Sequence, residues 1–238
     1  MYTIAAANAN EAWKEAFEFL CDQAKNGFVA ESRDGDVVGE ILNAVICIKD
    51  PTRNIVSSPI RHLPMRYAIG ELMWYLSGSN MTDDIAKFSP VWRKLSDDGV
   101  HANSAYGYRI FEKYGFDQMQ YVIDTLTKNP LSRQAVIHIK DPVDYGEYPT
   151  KDVPCTICLQ FLIRYNKLHM TVYMRSNDIW MGLPYDVFSF TCMQILLAFK
   201  LGVDIGTYTH HAASLHLYKR DYETAQKNMQ ELSQEKSQ

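Results

Sequence analysis

Apolar residues recur at helical spacing early in the chain, at Trp13, Ala16, Phe17, Leu20 and Ala24. This period predicts an amphipathic helix over residues 10–26, with Asn10 as its N-cap and Gly27 as its end. The same reasoning predicts helices over residues 65–76, 117–127 and 187–201, and a charged helix at the C-terminus. The stretch 187–201 is almost wholly apolar, so this helix is expected in the core.

Short runs of β-prone residues predict strands over residues 37–48, 134–139, 158–164, 167–175 and 206–214. The turn Tyr165-Asn166-Lys167 joins two of these strands and predicts a hairpin. Residues 88–109 follow neither period and are expected to be loop-rich. Because no repeat or clear linker interrupts the pattern, we predict one domain over residues 1–238. Its fold class is α/β (α+β), with mostly antiparallel strands.

Composition argues against several functional classes. The net charge is -4, so the field of the whole chain does not favour nucleic acid. No apolar run reaches the roughly 18 residues of a membrane span, and the N-terminus does not resemble a signal peptide. The five cysteines are sparse and odd in number. They favour a reducing compartment, and so a cytoplasmic protein, over a disulfide framework.

Two of the cysteines, Cys155 and Cys158, form a Cys-x-x-Cys in the stretch DVPCTICLQF. No second such pair and no His-x-x-x-His completes a zinc ligand set, so no metal site is predicted. Cys155 follows Pro154 at the start of a predicted strand, where reactive groups are often displayed. A buried core thiol is the alternative for Cys155, and Cys158, inside the apolar strand, is expected in the core.

Three polar features lie in or beside apolar segments. Glu71 lies on a strongly apolar helix, where a carboxyl is either a buried proton-transfer group or an edge residue that reaches solvent. Arg175 and Ser176 combine a guanidinium fork with a hydroxyl, which suits a phosphate; a solvated strand end is the alternative. Asp186 precedes the most apolar helix, as its N-cap or as a functional group.

The histidines of the last predicted strand region form another candidate cluster. His216 and Tyr218 follow the strand at 206–214 and lie two residues apart, so they can point the same way. With His210 and His211 they invite a metal interpretation. The lack of a carboxylate at ligand spacing argues against it.

Six separated stretches agree, in order, with one known family: ELMWYLSGSN, YGYR, DQMQYVIDTLTKNPLSRQAVIHI, VPCTICLQFLIR, MRSNDIWMGLPYDVFSF and SLHLYKRDYE. Together they resemble the thymidylate synthase superfamily over residues 64–223. The resemblance implies a thymidylate synthase-like three-layer α/β sandwich with a mixed, largely antiparallel sheet, which works as a homodimer. It also implies a pyrimidine nucleotide as substrate and 5,10-methylenetetrahydrofolate as cofactor.

The resemblance assigns the reacting groups residue by residue. Cys155 matches the nucleophile that adds to C6 of the pyrimidine, which turns C5 into an enolate-like carbon able to attack the one-carbon unit. Glu71 looks like the proton-relaying glutamate, and Tyr106 matches a tyrosine near the nucleophile. In the folate site, Asp178 matches the aspartate that holds the pterin and Trp92 resembles a lining tryptophan.

The resemblance also implies six nucleotide-binding residues, which are Arg33, Arg133, Arg175, Ser176, His216 and Tyr218. The first four match residues that bind the phosphate, and Arg133 resembles the arginine that crosses the dimer into the other subunit's site. The last two match the pair that binds the sugar 3'-hydroxyl.

Three positions depart from the synthase pattern. Asp186 stands where synthases have asparagine. A carboxylate accepts from the cytosine amino group and from protonated N3, whereas a carboxamide matches uracil. Thr156 stands where synthases have histidine, and Gln134 follows Arg133 where they have a second arginine. The Cys-Thr and Asp features resemble phage deoxycytidylate hydroxymethylases and related cytidylate hydroxymethylases, in which water attacks the exocyclic methylene.

We therefore predict a cytidylate 5-hydroxymethylase that converts dCMP or CMP to its 5-hydroxymethyl derivative and releases tetrahydrofolate. Arg133 and Ser176 favour dCMP. The alternatives are a (d)CMP methylase or thymidylate synthase that uses hydride transfer, and a nucleotide-binding protein without turnover. The set of Cys155, Glu71, Arg175 and Asp178 speaks against the last.

Overall fold

The computed structural model describes residues 2–32, 34–145 and 150–235. The helices and strands, in chain order, are β1 (Tyr2–Ala6), α1 (Ala9–Ala24), β2 (Ala30–Ser32), β3 (Gly35–Ile48), β4 (Ser57–Ser58), β5 (Arg61–His62), α2 (Met65–Ser77), α3 (Thr82–Ala86), α4 (Val91–Leu95), α5 (Tyr106–Phe111), α6 (Gln118–Lys128), β6 (Val136–His138), a 3-10 turn (Pro142–Tyr145), β7 (Thr156–Arg164), β8 (Lys167–Met174), β9 (Asn177–Asp178), α7 (Leu183–Leu201), β10 (Asp204–Tyr218) and α8 (Lys219–Glu235). They belong to two compact units. The first comprises the chain up to Leu63, Arg175–Thr191 and the chain from Thr207; the second comprises Pro64–Met174 and Cys192–Gly206.

The first unit is built around strand β3. This strand pairs in parallel with β1 and antiparallel with β2 and β10. The β10 register begins with Tyr208 opposite Ile48 and continues to the end of that strand. Strand β9 then joins β10 in parallel, with Asp178 opposite His216. Strand pairing thus places the Asp178 segment beside the histidine-rich strand.

An aromatic cluster under α1 holds the segment that follows Asp178. Trp13 stacks on Phe17 with ring centroids 4.7 Å apart, and both rings contact Trp180. The Trp13 indole N–H donates to the Ile179 carbonyl at 2.8 Å. A buried indole with a paired N–H contributes its apolar area without leaving an unsatisfied donor. These contacts fix the position of Ile179 and Trp180.

The second unit combines helices α2 to α6 with three antiparallel strands. Strand β7 pairs with β6 on one side and β8 on the other. Tyr165 and Asn166 join β7 to β8 with φ angles of 52° and 57°, the left-handed conformation that tight hairpin turns favour. The predicted hairpin is confirmed, as is an α+β chain whose strands are mostly antiparallel.

The first helix begins earlier than predicted, because Asn8 and not Asn10 is its N-cap. The Asn8 side chain accepts from the Glu11 N–H at 3.0 Å, and the Glu11 carboxylate accepts from the Ala7 N–H at 3.1 Å. This reciprocal pairing is a capping arrangement. Asn10 lies inside the helix, and its side-chain oxygen accepts from the Ser57 N–H.

Two boundary predictions near the candidate site were also wrong. Helix α7 begins at Leu183, so Asp186 lies in its first turn and not before it. Strand β10 continues to Tyr218, so His216 and Tyr218 belong to the strand. Pairing with β3 extends β10 well beyond its β-prone core.

In the described parts of the chain, no helix combines the length and apolar character needed to cross a membrane.

Candidate active site

In the second unit, Cys155 is half-buried and immediately precedes β7. Buried Asp152 holds the residues that lead to it. The Asp152 carboxylate accepts from the Ser104 N–H at 2.9 Å, and its carbonyl accepts from the Asn103 amide at 3.0 Å. A hydrogen bond to an ionised acceptor is stronger than a neutral one. The chain therefore approaches Cys155 in a fixed position relative to the segment before α5.

Helix α5 brings Tyr106 to the residue after Cys155. The buried Tyr106 hydroxyl accepts from the Thr156 N–H at 3.3 Å. The next residue must be glycine, because a Cβ at Gly107 would lie 2.0 Å from the Tyr75 carbonyl oxygen. The close approach of α5 to α2 that Gly107 permits thus positions Tyr106.

A buried ion pair anchors the same helix. The Arg109 guanidinium donates to both carboxylate oxygens of Asp144, at 2.8 and 2.6 Å, and also to the Ile139 carbonyl. Burial alone would raise the pKa of Asp144, but the paired guanidinium holds it well below its usual range. Removing one partner of such a pair is costly because it leaves an uncompensated buried charge.

Glu71 is buried on α2 and has an aromatic partner. The Tyr67 hydroxyl donates to its carboxylate at 2.6 Å, and the Trp92 indole N–H donates to the Tyr67 oxygen at 3.0 Å. Two predicted residues, Glu71 and Trp92, are therefore linked through a tyrosine. The sequence carried a signal for Tyr67, which lies one helical turn, or four residues, before Glu71.

The second thiol of the Cys-x-x-Cys lies within β7. Cys158 is half-buried rather than in the core as predicted, and burial raises the pKa of its thiol. A raised pKa disfavours the thiolate, which is the nucleophilic form.

In the first unit, Asp178 closes the turn that leads into α7. One carboxylate oxygen accepts from the Trp180 and Met181 N–H groups at 2.7 and 3.0 Å. Its strand partner is His216. Burial lowers the pKa of His216, an effect that the Asp178 charge only partly offsets. The imidazole is therefore neutral at pH 7, with one donor and one acceptor nitrogen.

Tyr218 completes this group at the end of β10. Its ring meets the His216 ring edge-on, with centroids 5.0 Å apart. Its hydroxyl accepts from the Ser32 hydroxyl at 3.4 Å. The structure thus places His216 and Tyr218 together and close to β2. Arg33, which follows β2, lies outside the described residues.

Asp186 is buried in the first turn of α7. Burial raises its pKa to about 7, and the Asp178 charge adds to the increase. A hydrogen bond from the Asn177 amide, at 2.7 Å to Oδ2, acts in the opposite direction. Gly182 allows this approach, because a Cβ there would lie 3.0 Å from the Asn177 amide nitrogen.

Asn177 is itself bound to the middle of β10. Its side-chain oxygen lies 3.1 Å from His210 Nε2, and His210 Nδ1 lies 2.9 Å from the Tyr208 hydroxyl. No local pattern connects His210 with Asn177, because the two residues lie 33 positions apart. The period-2 alternation of a strand does predict that Tyr208 and His210 share a face.

The remaining predicted phosphate residues lie at element ends. Arg175 is exposed after β8, Ser176 is half-buried beside it, and Arg133 is exposed before β6. Their phosphate-binding roles stay predictions. Across the described ranges, no group of three or more His, Cys, Asp or Glu side chains could hold a metal ion.

Comparison with known proteins gives a consistent result. Residues 18–238 match the family model described as thymidylate synthase. A deoxyuridylate hydroxymethyltransferase of Bacillus phage SP01 is 30% identical over 234 residues, which cover 93% of this chain and 60% of that protein. The chain thus spans about three fifths of the length of this curated relative.

Two solved structures share the fold. Thymidylate synthase from T4 phage has a TM-score of 0.74 at 22% identity, covering 90% of this chain and 79% of that chain. Thermostable thymidylate synthase A from Bacillus subtilis has a TM-score of 0.76 at 21% identity, covering 92% and 83%. The predicted resemblance and fold class are confirmed. Given a family match over nearly its whole length, the chain belongs to the thymidylate synthase family.

Proposed function

We propose that this chain is a one-carbon transferase that hydroxymethylates C5 of a cytidine monophosphate, dCMP or CMP. The products are the 5-hydroxymethyl nucleotide and tetrahydrofolate. Family membership supports one-carbon transfer to a pyrimidine nucleotide, and the name of the phage relative supports hydroxymethyl transfer. The observation that supports cytosine as the base is the buried Asp186 carboxyl, which accepts a hydrogen bond from the Asn177 amide.

Cys155 is the proposed nucleophile. Its thiolate adds to C6 of the ring and breaks the aromatic system, and the electron pair moves toward C5. C5 then forms a bond to the one-carbon unit and loses its hydrogen as a proton. The bond between the transferred carbon and the folate nitrogen would then break, with its electron pair leaving on nitrogen as tetrahydrofolate, so that an exocyclic methylene remains on C5. Water adds to the resulting exocyclic methylene carbon while the Cys155 sulfur leaves C6, which restores the aromatic ring and regenerates the thiolate.

Asp186 is the proposed base-recognition group. In its ionised form it accepts hydrogen bonds from the cytosine 4-amino group and from N3 once N3 is protonated. Protonated N3 withdraws electrons from C6 and promotes thiolate addition. A buried site of this kind leaves polar groups unpaired with the wrong base, which makes discrimination strong.

Glu71 is the proposed proton-transfer group. The Tyr67 hydroxyl and, behind it, the Trp92 indole hold its carboxylate in one orientation. A fixed donor chain of this kind restricts the positions that a proton on Glu71 can occupy. Tyr106 has a supporting role near the nucleophile, because its hydroxyl binds the N–H of the residue after Cys155.

The residues assigned to folate fit that ligand chemically. Two backbone N–H groups donate to one carboxylate oxygen of Asp178, and no described residue donates to the other oxygen. That second oxygen can therefore accept from the N–H groups of a pterin. Trp92 is half-buried and offers an aromatic face. The bound 5,10-methylenetetrahydrofolate supplies one carbon at the oxidation level of formaldehyde.

The proposal includes the nucleotide contacts and the assembly. Arg175 and Ser176 bind the phosphate, with Arg33 and with Arg133 contributed by a second copy of the chain. His216 and Tyr218 bind the sugar 3'-hydroxyl, as their neighbouring positions on β10 allow. We further propose a cytoplasmic homodimer in which residues 1–238 act as one catalytic domain.

Hydroxymethylation of dUMP is the second candidate, because the phage relative is named for that substrate. The raised pKa of Asp186 favours it physically. A protonated carboxyl has one donor and one acceptor, which match O4 and N3–H of uracil.

The test is incubation with CMP, dCMP or dUMP and 5,10-methylenetetrahydrofolate, with mass analysis of the nucleotide and absorbance of the folate. We expect a cytosine nucleotide that gains CH2O, with no dihydrofolate. A gain of CH2 with dihydrofolate would identify a methylase or synthase. Product from dUMP alone would establish the second candidate, and no turnover would leave a binding protein.

A further inference from the structure

A buried chain of hydrogen bonds leads from the centre of β10 to Asp186. Its members are Tyr208, His210, Asn177 and Asp186, with relative exposures of 0, 0, 3 and 8%. The successive distances are 2.9, 3.1 and 2.7 Å. Every link joins a donor to an acceptor, so the chain leaves none of these contacts mismatched.

The chain has a direction that the chemistry of its members fixes. The Asn177 amide nitrogen donates to Asp186, so its oxygen faces His210 and can only accept. His210 must therefore carry its proton on Nε2. Its Nδ1 is then an acceptor, and the Tyr208 hydroxyl donates to it. All three donors point toward the carboxyl.

The ionisation states of the neighbours maintain this direction. Burial, and to a lesser extent His211, lower the pKa of His210 to about 3, so the ring stays neutral with a single N–H. Burial and the Asp186 charge raise the pKa of Tyr208 well above its usual value, so the phenol keeps its proton. The charge of Asp178 also raises the pKa of Asp186.

Building on the proposed function, we propose that His210 is a positioning residue for base specificity, because it decides which end of the Asn177 amide meets Asp186. An amide N–H directed at the carboxyl stabilises the carboxylate, the form that accepts from both polar groups of protonated cytosine. A reversed amide would present its oxygen and favour the protonated acid. The single proton of that acid would then be donated to the Asn177 oxygen, and a neutral carboxyl binds protonated cytosine more weakly than a carboxylate does, so turnover of dCMP falls relative to that of dUMP.

A matched pair of variants tests this role. In His210→Gln the side-chain amide reaches the place of Nε2 and can still donate to Asn177. In His210→Asn the shorter amide reaches only the place of Nδ1 and can still bind Tyr208. The two variants carry the same functional group and differ by one methylene, so loss of the imidazole itself is common to both.

The readout is the ratio of kcat/KM for dCMP to that for dUMP, measured across pH. We expect His210→Asn to lower this ratio by about 10- to 100-fold and to shift the acidic limb of the dCMP profile to higher pH. We expect His210→Gln to stay within about threefold of the wild-type ratio. Equal ratios in the two variants, whether both low or both at the wild-type value, would overturn the role of His210.

Tyr208→Phe keeps the test decisive if neither His210 variant folds. It removes only the hydroxyl that donates to His210 Nδ1 and so supports the Nε2–H tautomer, and we expect a loss of selectivity in the same direction, of about threefold. An unchanged ratio in this variant would overturn the inference. Failure of the proposed function is distinguishable, because wild-type protein would then prefer dUMP or turn over neither nucleotide.

Discussion

Replacing Cys155 with alanine should lower tritium release from 5-tritiated dCMP by about 10⁴-fold or more, the scale on which loss of a covalent nucleophile acts. Release requires that C5 become carbanion-like, and that step depends on prior addition of sulfur to C6. Alanine provides no atom that can add. The measurement is tritium appearing in water during incubation with 5,10-methylenetetrahydrofolate.

Cys158→Ala is the matched control for this experiment. It removes the other thiol of the same Cys-x-x-Cys, three residues away and inside β7. Because burial raises the pKa of Cys158, its thiolate is disfavoured, and we expect its loss to leave tritium release within about threefold of wild type. A Cys155→Ala protein that still releases tritium would refute covalent catalysis by this residue.

Asp186→Asn should reverse the base preference and so produce the second large effect. The carboxamide offers one acceptor and one donor, which match N3–H and O4 of uracil. Protonated cytosine presents two donors, the 4-amino group and N3–H, and the carboxamide has only one acceptor atom for them. Sites that hydrogen-bond one substrate reject a mismatched analogue by about 10⁴-fold. We expect the dCMP-to-dUMP ratio of kcat/KM to change by a factor of that order.

Thermal unfolding at several pH values provides the control for Asp186→Asn. In the folded protein the pKa of Asp186 is about 7, above the ordinary value of 3.8. The folded state therefore retains a proton that the unfolded chain has lost, and this residue lowers stability as pH rises from about 4 to about 7. The difference between the two pKa values corresponds to roughly 4 kcal/mol at most. The Asp186→Asn variant should thus be more stable than wild type above pH 7. A folded variant that has lost activity on both dCMP and dUMP would contradict the role of Asp186 in base recognition.

The sequence predicted the elements whose pattern is local. Helical spacing identified α1, α2 and α6, and the β-prone runs around Tyr165 identified the β7–β8 hairpin. Boundaries set by distant partners were missed. Strand β10 reaches Tyr218 only because β3 continues opposite it, and β1 and β9 are strands because β3 and β10 pair with them. Such pairings leave no local signature.

The candidate site divides in the same way. Local sequence context singled out Cys155, Glu71 and Asp186, and the resemblance then implied roles for Cys155 and Glu71. Helical spacing would have supplied Tyr67. The contact of His210 with Asn177 joins two strands far apart in sequence, so neither periodicity nor composition indicates it. We also predicted that Asp186 precedes its helix, because the apolar pattern begins at residue 187 and no local signal indicated that α7 starts at Leu183 and Pro184. Proline is tolerated in a first helical turn, where its missing N–H is not needed.

Covalent trapping with a 5-fluorinated nucleotide tests the central claim most directly. Fluorine at C5 cannot leave as a proton does, so the bond between sulfur and C6 persists once the one-carbon unit has been attached. We expect 5-fluoro-dCMP with 5,10-methylenetetrahydrofolate to add mass to the protein, with peptide mapping locating it on Cys155, and 5-fluoro-dUMP to react far more slowly. No adduct, an adduct on another residue, or equal trapping by the two nucleotides would contradict a cytosine-directed thiol at position 155.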